Sequence, residues 1–113
     1  MYIMTGIADD ILRGAITVLE LRPSCEACAK ALPANSTEAM ICSFECTFCR
    51  DCVEGMLMNV CPNCGGGLSP RPIRPKAKLE KNPAGTRLVE KAIDTDAHAA
   101  FAASIKDVPP ELR

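Results

Sequence analysis

The sequence predicts a small α+β fold stapled by metal ions, and three observations support this prediction. All eight cysteines of the 113-residue chain lie between Cys25 and Cys64, a stretch of about 40 residues. The chain has no Trp, one Tyr and three Phe, so large aromatic side chains to fill a core are scarce. Domains shorter than about 70 to 80 residues rarely fold on a hydrophobic core alone. The cysteines must therefore hold this stretch together.

The cysteines have the spacing of metal ligands. Their order is Cys25-x2-Cys28, thirteen residues, Cys42-x3-Cys46-x2-Cys49-x2-Cys52, eight residues and Cys61-x2-Cys64. In a Cys-x2-Cys unit one tight turn directs two thiolates at the same metal, and two such units complete a tetrahedron. The eight sulfurs therefore divide into two four-cysteine sites with none left over.

The last cysteine pair lies in the segment CPNCGGG, which predicts a knuckle, a tight turn that presents two cysteines to a metal. Pro62 fixes the backbone φ within this turn. Gly65 can adopt the positive φ that a knuckle needs after its second cysteine. Backbone N–H groups of such a turn can then point at the sulfurs.

Disulfide bonds are an alternative that the sequence disfavours. They persist in oxidising compartments, which a chain reaches through a targeting segment. The N-terminal stretch MYIMTGIADDILRGAITVLEL has no basic n-region, and Asp9, Asp10 and Arg13 interrupt its apolar residues. No window supplies the roughly 20 apolar residues of a membrane span. We therefore expect a cytoplasmic protein with reduced thiols and no membrane association.

Zinc is the metal that accounts for all eight cysteines. Thiolate tetrahedra suit Zn²⁺ and iron alike. The segment CTFCRDC matches the Cys-x2-Cys-x2-Cys run of bacterial ferredoxins, but there the next cysteine follows after three residues, whereas Cys61 follows after eight. A mononuclear iron site on the outer two pairs would leave the four middle cysteines without a role. We expect two Zn²⁺ ions and no other metal.

The spacing resembles that of the RING finger, in which a Cys-Pro-x-Cys unit follows a Cys-x3-ligand-x2-Cys-x2-Cys run. The fourth ligand of most RING fingers is His, so Cys46 would make this an all-cysteine variant, with Phe48 as the aromatic of its small core. The resemblance implies a RING-like cross-brace with a short helix and a β-hairpin. Its interleaved ligand sets are Cys25, Cys28, Cys49 and Cys52 (site 1) and Cys42, Cys46, Cys61 and Cys64 (site 2). Spacing alone also permits sequential sites, one holding the first four cysteines and one the last four.

A second resemblance covers most of the chain. The segments LELRPSCEAC, ICSFECTFCRDCVEGML and CPNCGGGLSPRPIRP, together with NPAGT and IKDVPPELR, resemble a family of small bacterial proteins called domain of unknown function 1272. The similarity runs from about residue 19 to the end, whereas residues 1–18 depart from it. The resemblance implies the metal chemistry but leaves the biological role open.

The chain divides into four expected regions. They are an N-terminal extension with a possible helix (1–18), the RING-like zinc module (19–70), a basic Pro-rich linker (71–85) and a helical C-terminal extension (86–113). The linker contains several closely spaced prolines and is expected to be extended.

Short helices are predicted on both sides of the linker. The segment VEGMLMNV after Cys52 has helical spacing. Its apolar face is expected to pack on Ile41, Phe44 and Phe48. Further on, residues 86–93 form a weak helical pattern and residues 96–106 a stronger one that Asp94 or Thr95 would cap. The stronger helix should pack through Ala97, Ala100, Phe101 and Ile105.

The sequence predicts a non-catalytic protein. RING ubiquitin ligases usually have a large aliphatic residue where this chain has Ala27, and a basic residue near the last ligand, where Gly65 follows Cys64. A closed four-cysteine site leaves no position for a catalytic water. His98, the only histidine, is expected on the surface of a helix. A ubiquitin-ligase-like role and a thiol redox or zinc-release sensor remain alternatives.

An unidentified protein partner is the expected ligand, and no small-molecule substrate is evident. The formal net charge is −1, and two zinc ions on eight thiolates would make it about −5. The linker is basic, so nucleic-acid binding is a further alternative, although no aromatic residue interleaves its charges to stack on bases. The residues predicted to contact a partner are Met56, Leu57, Met58, Arg71, Arg74, Lys76 and Lys78.

Overall fold

The structure, a computed structural model, describes residues 18–113 and shows a small α+β fold. Its elements are β1 (Ala39–Ile41), β2 (Thr47–Cys49), α1 (Arg50–Glu54), β3 (Ser69–Pro70) and α2 (Thr95–Ile105), with 3₁₀ turns at Lys76–Lys78 and Pro110–Leu112. The expectation of an α+β fold is thereby confirmed. The helix predicted in residues 1–18 falls almost entirely outside the described residues. Within residues 18–113 no helix is both long and apolar enough to cross a membrane.

A three-stranded antiparallel sheet organises the middle of the chain, with strand order β2-β1-β3. β1 and β2 form the predicted hairpin, in which Met40 is opposite Phe48. On the other side of β1, Met40 is opposite Pro70 of β3. Proline has no N–H to donate, and Pro70 stands in an edge strand, where that loss is tolerated. The strands are short, so the sheet positions the cysteines without burying much area.

The core lies between this sheet, α1 and the loops that carry the cysteines. Phe48 is 1% exposed and is the core's aromatic side chain, as predicted. It packs in one cluster with Leu32, Val53 and Leu57 and with five of the cysteines, and Cys52 packs against this cluster. Phe44 is 71% exposed in the turn between β1 and β2, so the prediction that it packs on the helix was wrong.

The helix after Cys52 is shorter than predicted and begins earlier. α1 ends at Glu54, and turns occupy residues 55–59. The prediction failed because Met58 and Asn59 both have left-handed backbones, with φ of 52° and 57°, which a right-handed helix excludes. The helix-like spacing of apolar residues in this segment therefore arises from residues such as Leu57 and Val60, which are buried in a loop.

The C-terminal region contains one helix where two helical segments were predicted. Residues 86–93 are not helical. Instead they run along the first part of the domain, where Lys91 N–H donates to the Glu26 carbonyl at 3.2 Å and Arg87 pairs with Glu20. These contacts outside the segment replace the hydrogen bonds of the weak helical pattern.

α2 forms where the stronger pattern predicted a helix. Asp94 caps it and accepts a hydrogen bond from Ala97 N–H at 3.0 Å, as expected. The packed face was predicted wrongly, since His98 and Ala102 are buried while Ala97, Ala100 and Phe101 are exposed and Ile105 is half-buried. The true face is shifted by about one residue from the predicted one.

Candidate metal centre

One group of four sulfurs joins the first knuckle to the sheet. The Sγ atoms of Cys25, Cys28, Cys49 and Cys52 all lie within 4.8 Å of one another. Cys49 ends β2 and Cys52 lies in α1, so the strand-to-helix junction presents both sulfurs to the knuckle. The Cys25–Cys52 and Cys28–Cys49 sulfurs are 3.9 Å and 3.7 Å apart. Zinc–sulfur bonds of about 2.3 Å in a tetrahedron imply sulfur separations of about 3.8 Å, so this group fits a zinc ion.

A second group contains three sulfurs. The Sγ atoms of Cys42, Cys46 and Cys61 lie within 4.8 Å of one another, and all three residues are buried. Cys42 directly follows β1 and Cys46 directly precedes β2, so the hairpin brings this pair together. Cys64 is exposed, and its sulfur is not part of the group. Three sulfurs are enough to hold a metal ion, and a fourth ligand would close the site.

Backbone N–H groups point at sulfurs of both groups and at the sulfur of Cys64. In each case the N–H two residues after a cysteine donates to its Sγ, at 3.3 to 3.4 Å. The pairs are Ala27 N–H with Cys25, Phe44 N–H with Cys42, Asn63 N–H with Cys61 and Gly66 N–H with Cys64. Such bonds stabilise thiolates, which is the form that binds a metal.

The two knuckles have the same backbone hydrogen bonds. Cys25 N–H donates to the Lys30 carbonyl at 2.9 Å, and Cys61 N–H donates to the Gly66 carbonyl at 2.9 Å. The residue after the second cysteine is left-handed in both. Gly65 has φ of 80°, which confirms the prediction from CPNCGGG. Ala29 has φ of 65° at the equivalent position, which its sequence did not signal because alanine disfavours this conformation.

The electrostatics of the thiols follow their surroundings. Burial raises the pKa of Cys52 and of Cys61 well above the usual range of a thiol. The Lys30 backbone N–H, by contrast, lowers the pKa of Cys28. Buried thiols of raised pKa stay neutral by themselves, and a coordinated cation supplies the charge that deprotonates them.

Two polar side chains around the sulfurs were missed by sequence reasoning. The Asn63 side-chain amide donates to Cys46 Sγ at 3.3 Å. The Glu26 carboxylate, only 3% exposed, accepts 2.6 Å hydrogen bonds from Thr47 N–H and from Arg22 Nη1. Glu26 therefore ties the first knuckle to β2. No local sequence pattern predicts these contacts. Their partners lie 17 and 21 residues away, or are brought close only by the geometry of the loop.

His98 was predicted to lie on the surface, and this was wrong. Its side chain is buried, and Nε2 lies 3.1 Å from the Leu57 carbonyl oxygen. The prediction failed because the docking of α2 on the loop after α1 is a long-range contact across 41 residues.

The predicted partner-contact residues are not equally accessible. Leu57 is fully buried, and Arg71 is 4% exposed, so neither can contact a partner as predicted. Arg71 donates to the carbonyl groups of Arg22, Leu32 and Pro33, and the half-buried Arg74 donates to those of Leu19, Asn82 and Pro83. These guanidinium groups hold the linker on the module. Of the other candidates, Met56, Lys76 and Lys78 are exposed and Met58 is half-buried.

Fold and site define a small, cysteine-rich α+β domain with two sulfur groups that could each hold a metal ion. A family model described as "Protein of unknown function (DUF1272)" matches residues 18–74, and the chain belongs to this family. An uncharacterized protein of Rhizobium meliloti (strain 1021) is 55% identical over 74 residues, which are 66% of this chain and 88% of that protein. No solved structure matches the chain.

Proposed function

We propose that the protein is a RING-like module with two interleaved zinc sites, which acts without catalysis as a protein-interaction adaptor. The observation that carries the zinc assignment is the first sulfur group, whose 3.7 Å and 3.9 Å separations match a tetrahedral Zn²⁺. This group combines the first knuckle with Cys49 and Cys52. That combination favours the cross-brace over sequential sites.

Cys64 is the proposed fourth ligand of the second site. It occupies the position in the second knuckle that Cys28 occupies in the first, and the two turns share their backbone hydrogen bonds. Cys28 does belong to a sulfur group. Rotation about χ1 of Cys64 is therefore the proposed route by which its sulfur reaches the second zinc, and this rotamer change is cheap for an exposed side chain.

A contact role, without chemistry on a substrate, is supported by the closed character of such sites. Four thiolate ligands leave no open position for water or substrate. Ala27, where RING ligases usually have a large aliphatic side chain, packs partly buried against the core. Phe44 stands 71% exposed on a hairpin that both metal sites would hold rigid. A rigid, exposed aromatic side chain is typical of an interface anchor.

The zinc assignment is tested by elemental analysis and chelation. We expect two zinc ions per chain and no stoichiometric iron. Because each structural site contributes on the order of 10 kcal/mol of apparent folding free energy, a strong chelator should unfold the domain. Circular dichroism and tryptic digestion before and after chelation measure this loss. One metal per chain, or iron in place of zinc, would contradict the proposal.

The adaptor role is tested by recovery of a partner from native cells. Phe44→Glu should abolish recovery of a protein that the unaltered chain retains, while zinc content and melting temperature stay the same. Leu88→Glu is the matched control, because Leu88 is 68% exposed and lies outside the module. Equal recovery by both variants would remove Phe44 and the hairpin from the proposed interface.

A further inference from the structure

The loop that carries the second knuckle is held by the C-terminal segment (residues 94–113). This loop, residues 57–67, offers three backbone carbonyl groups to that segment. His98 Nε2 lies 3.1 Å from the Leu57 carbonyl oxygen, and Arg113 Nη1 donates to those of Asn59 at 3.0 Å and Gly65 at 3.2 Å. All three acceptors belong to the backbone that positions Cys61.

Glycines in the loop let the C-terminal segment approach closely. A Cβ on Gly65 would stand 3.0 Å from Phe101 Cζ, and a Cβ on Gly67 would stand 2.8 Å from Pro110 Cγ. Ordinary side chains at these positions would push the segment away. The glycine run thus has two roles. It allows the left-handed turn of the knuckle, and it leaves room for Phe101 and Pro110 to pack against the loop.

The loop is strained and needs support from both of its sides. Met58 and Asn59 are consecutive left-handed residues, a conformation that side chains disfavour and that surrounding contacts must maintain. Asn59 Oδ1 accepts a hydrogen bond from Leu68 N–H at 2.9 Å, and the Asn59 carbonyl is held by Arg113. Cys61 holds the other side through its sulfur group.

The C-terminal segment is attached at few points and is incompletely packed. Only His98 and Ala102 of α2 are buried. A cleft of about 330 Å³ extends from Pro62 and Asn63 to residues 91–101. An element with so few buried residues has low local stability and can open without unfolding of the whole domain.

We propose that the C-terminal segment is a clamp on the second zinc site, so that docking of the segment and metal binding at Cys42, Cys46 and Cys61 strengthen each other. This inference rests on the proposed function, because it needs zinc in that site. The coupling is reciprocal by linkage: whatever the segment adds to zinc affinity, zinc adds to docking of the segment. Loss of this zinc then releases α2 and uncovers the loop for another contact.

Arg113→Ala tests the clamp in the full-length, zinc-loaded protein. A chelator is added with a thiol-alkylating reagent, and mass spectrometry maps which cysteines become labelled over time. Because hydrogen bonds from a charged group are worth enough to change an equilibrium by about tenfold or more, Cys61 and Cys64 should be labelled about tenfold faster than in the unaltered protein. Labelling of Cys25 and Cys28 should keep its original rate.

Arg87→Ala is the matched control, since it removes an arginine that pairs with Glu20, away from the second knuckle. It should leave labelling of the second group unchanged. Phe101→Ala removes a different contact of the same segment and should act like Arg113→Ala. Unchanged rates in both clamp variants, or equal acceleration at all eight cysteines, would overturn the clamp.

The reciprocal effect is tested with Cys46→Ser, which lies outside the loop that α2 contacts. Cys46 Sγ also accepts a hydrogen bond from the Asn63 side chain of that loop, which a serine Oγ can accept in its place. The remaining influence on α2 passes through the metal, so hydrogen exchange of the α2 amides should rise about tenfold if the coupling matches that of Arg113. Ser43→Ala, in the same turn, should leave this exchange unchanged. Protected α2 amides in a Cys46→Ser protein that has lost one zinc would overturn the clamp while leaving the proposed function intact. A native protein that binds no zinc at the second site would overturn both.

Discussion

In both sulfur groups a knuckle supplies cysteines from a turn with the same backbone hydrogen bonds and the same left-handed residue after its second cysteine. Around the first knuckle the buried Glu26 fixes the turn to β2, and four sulfurs come together. Around the second knuckle the C-terminal segment (residues 94–113) hydrogen-bonds to the loop. Cys64 is exposed, and its sulfur lies outside the second sulfur group. The two turns thus share their geometry, whereas only the first sulfur group includes both cysteines of its knuckle.

The largest expected difference between the groups concerns loss of one cysteine. Cys49→Ser should remove the first zinc and unfold the domain, because this residue joins β2, α1 and the metal and each structural zinc supplies on the order of 10 kcal/mol. Cys64→Ser should keep a cooperative melting transition and one tightly bound zinc, since it leaves all four sulfurs of the first group in place. Zinc content and thermal melting of both variants measure the contrast.

The pairing itself is checked with a double substitution. If Cys28 and Cys49 share a zinc, the double variant should lose little more zinc affinity than either single variant, because one site can be broken only once. Near-additive losses would favour sequential sites. A melting transition in Cys49→Ser equal to that of Cys64→Ser would remove the proposed asymmetry.

The next effect concerns the Glu26 contact that ties the first knuckle to β2. Glu26→Ala leaves Arg22 with Glu20 as its carboxylate partner and removes the acceptor of Thr47 N–H. Two hydrogen bonds to a charged group are lost, so we expect a loss of about 3 kcal/mol in the free energy of unfolding. Chemical denaturation of the zinc-loaded protein measures it. Glu38→Ala is the control, because its pair with Lys30 is exposed and should contribute little. Similar losses in both variants would show that the buried contacts of Glu26 contribute no more to stability than an exposed ion pair.

At the second knuckle the corresponding test is Gly65→Ala. Its φ of 80° disfavours any side chain, and the new Cβ would meet Phe101 at 3.0 Å. We expect denaturation to show a loss of about 2 kcal/mol, and faster exchange of the α2 amides. Gly66→Ala, whose added Cβ meets only Cys64 Sγ at 3.4 Å, should cost less. A larger cost at Gly66 than at Gly65 would contradict this account.

Local features of this fold could be predicted from the sequence, and long-range ones could not. The Cys-x2-Cys spacing, Gly65 and the Asp94 cap each act within a few residues, so the knuckle turn and the start of α2 followed from pattern alone. The hairpin between Cys42 and Cys46 also followed, through the resemblance to RING fingers. The assignment of all eight ligands stays a prediction.

Several of the errors share one physical cause, which is contact between distant parts of the chain. His98, Arg71 and Leu57 were predicted to be accessible, but each is buried by partners that no spacing rule connects to it. Residues 86–93 do not form the weakly predicted helix, because they make contacts with Glu20 and Glu26 instead. In a domain with such short strands, a few backbone carbonyl acceptors decide which side chains become buried.

The smallest expected effect returns to the comparison of the knuckles, because Ala29 stands where the second knuckle has Gly65. Its φ of 65° costs an alanine roughly 1 to 2 kcal/mol, and glycine removes that cost. Glycine also gains about 0.5 to 1 kcal/mol of entropy in the unfolded chain. Ala29→Gly should therefore stabilise the zinc-loaded protein by about 0.5 kcal/mol in chemical denaturation, with zinc content unchanged. Ala34→Gly, outside the knuckle and without a positive φ, should instead destabilise slightly. Destabilisation by Ala29→Gly equal to that of Ala34→Gly would mean that the first knuckle does not hold its left-handed turn.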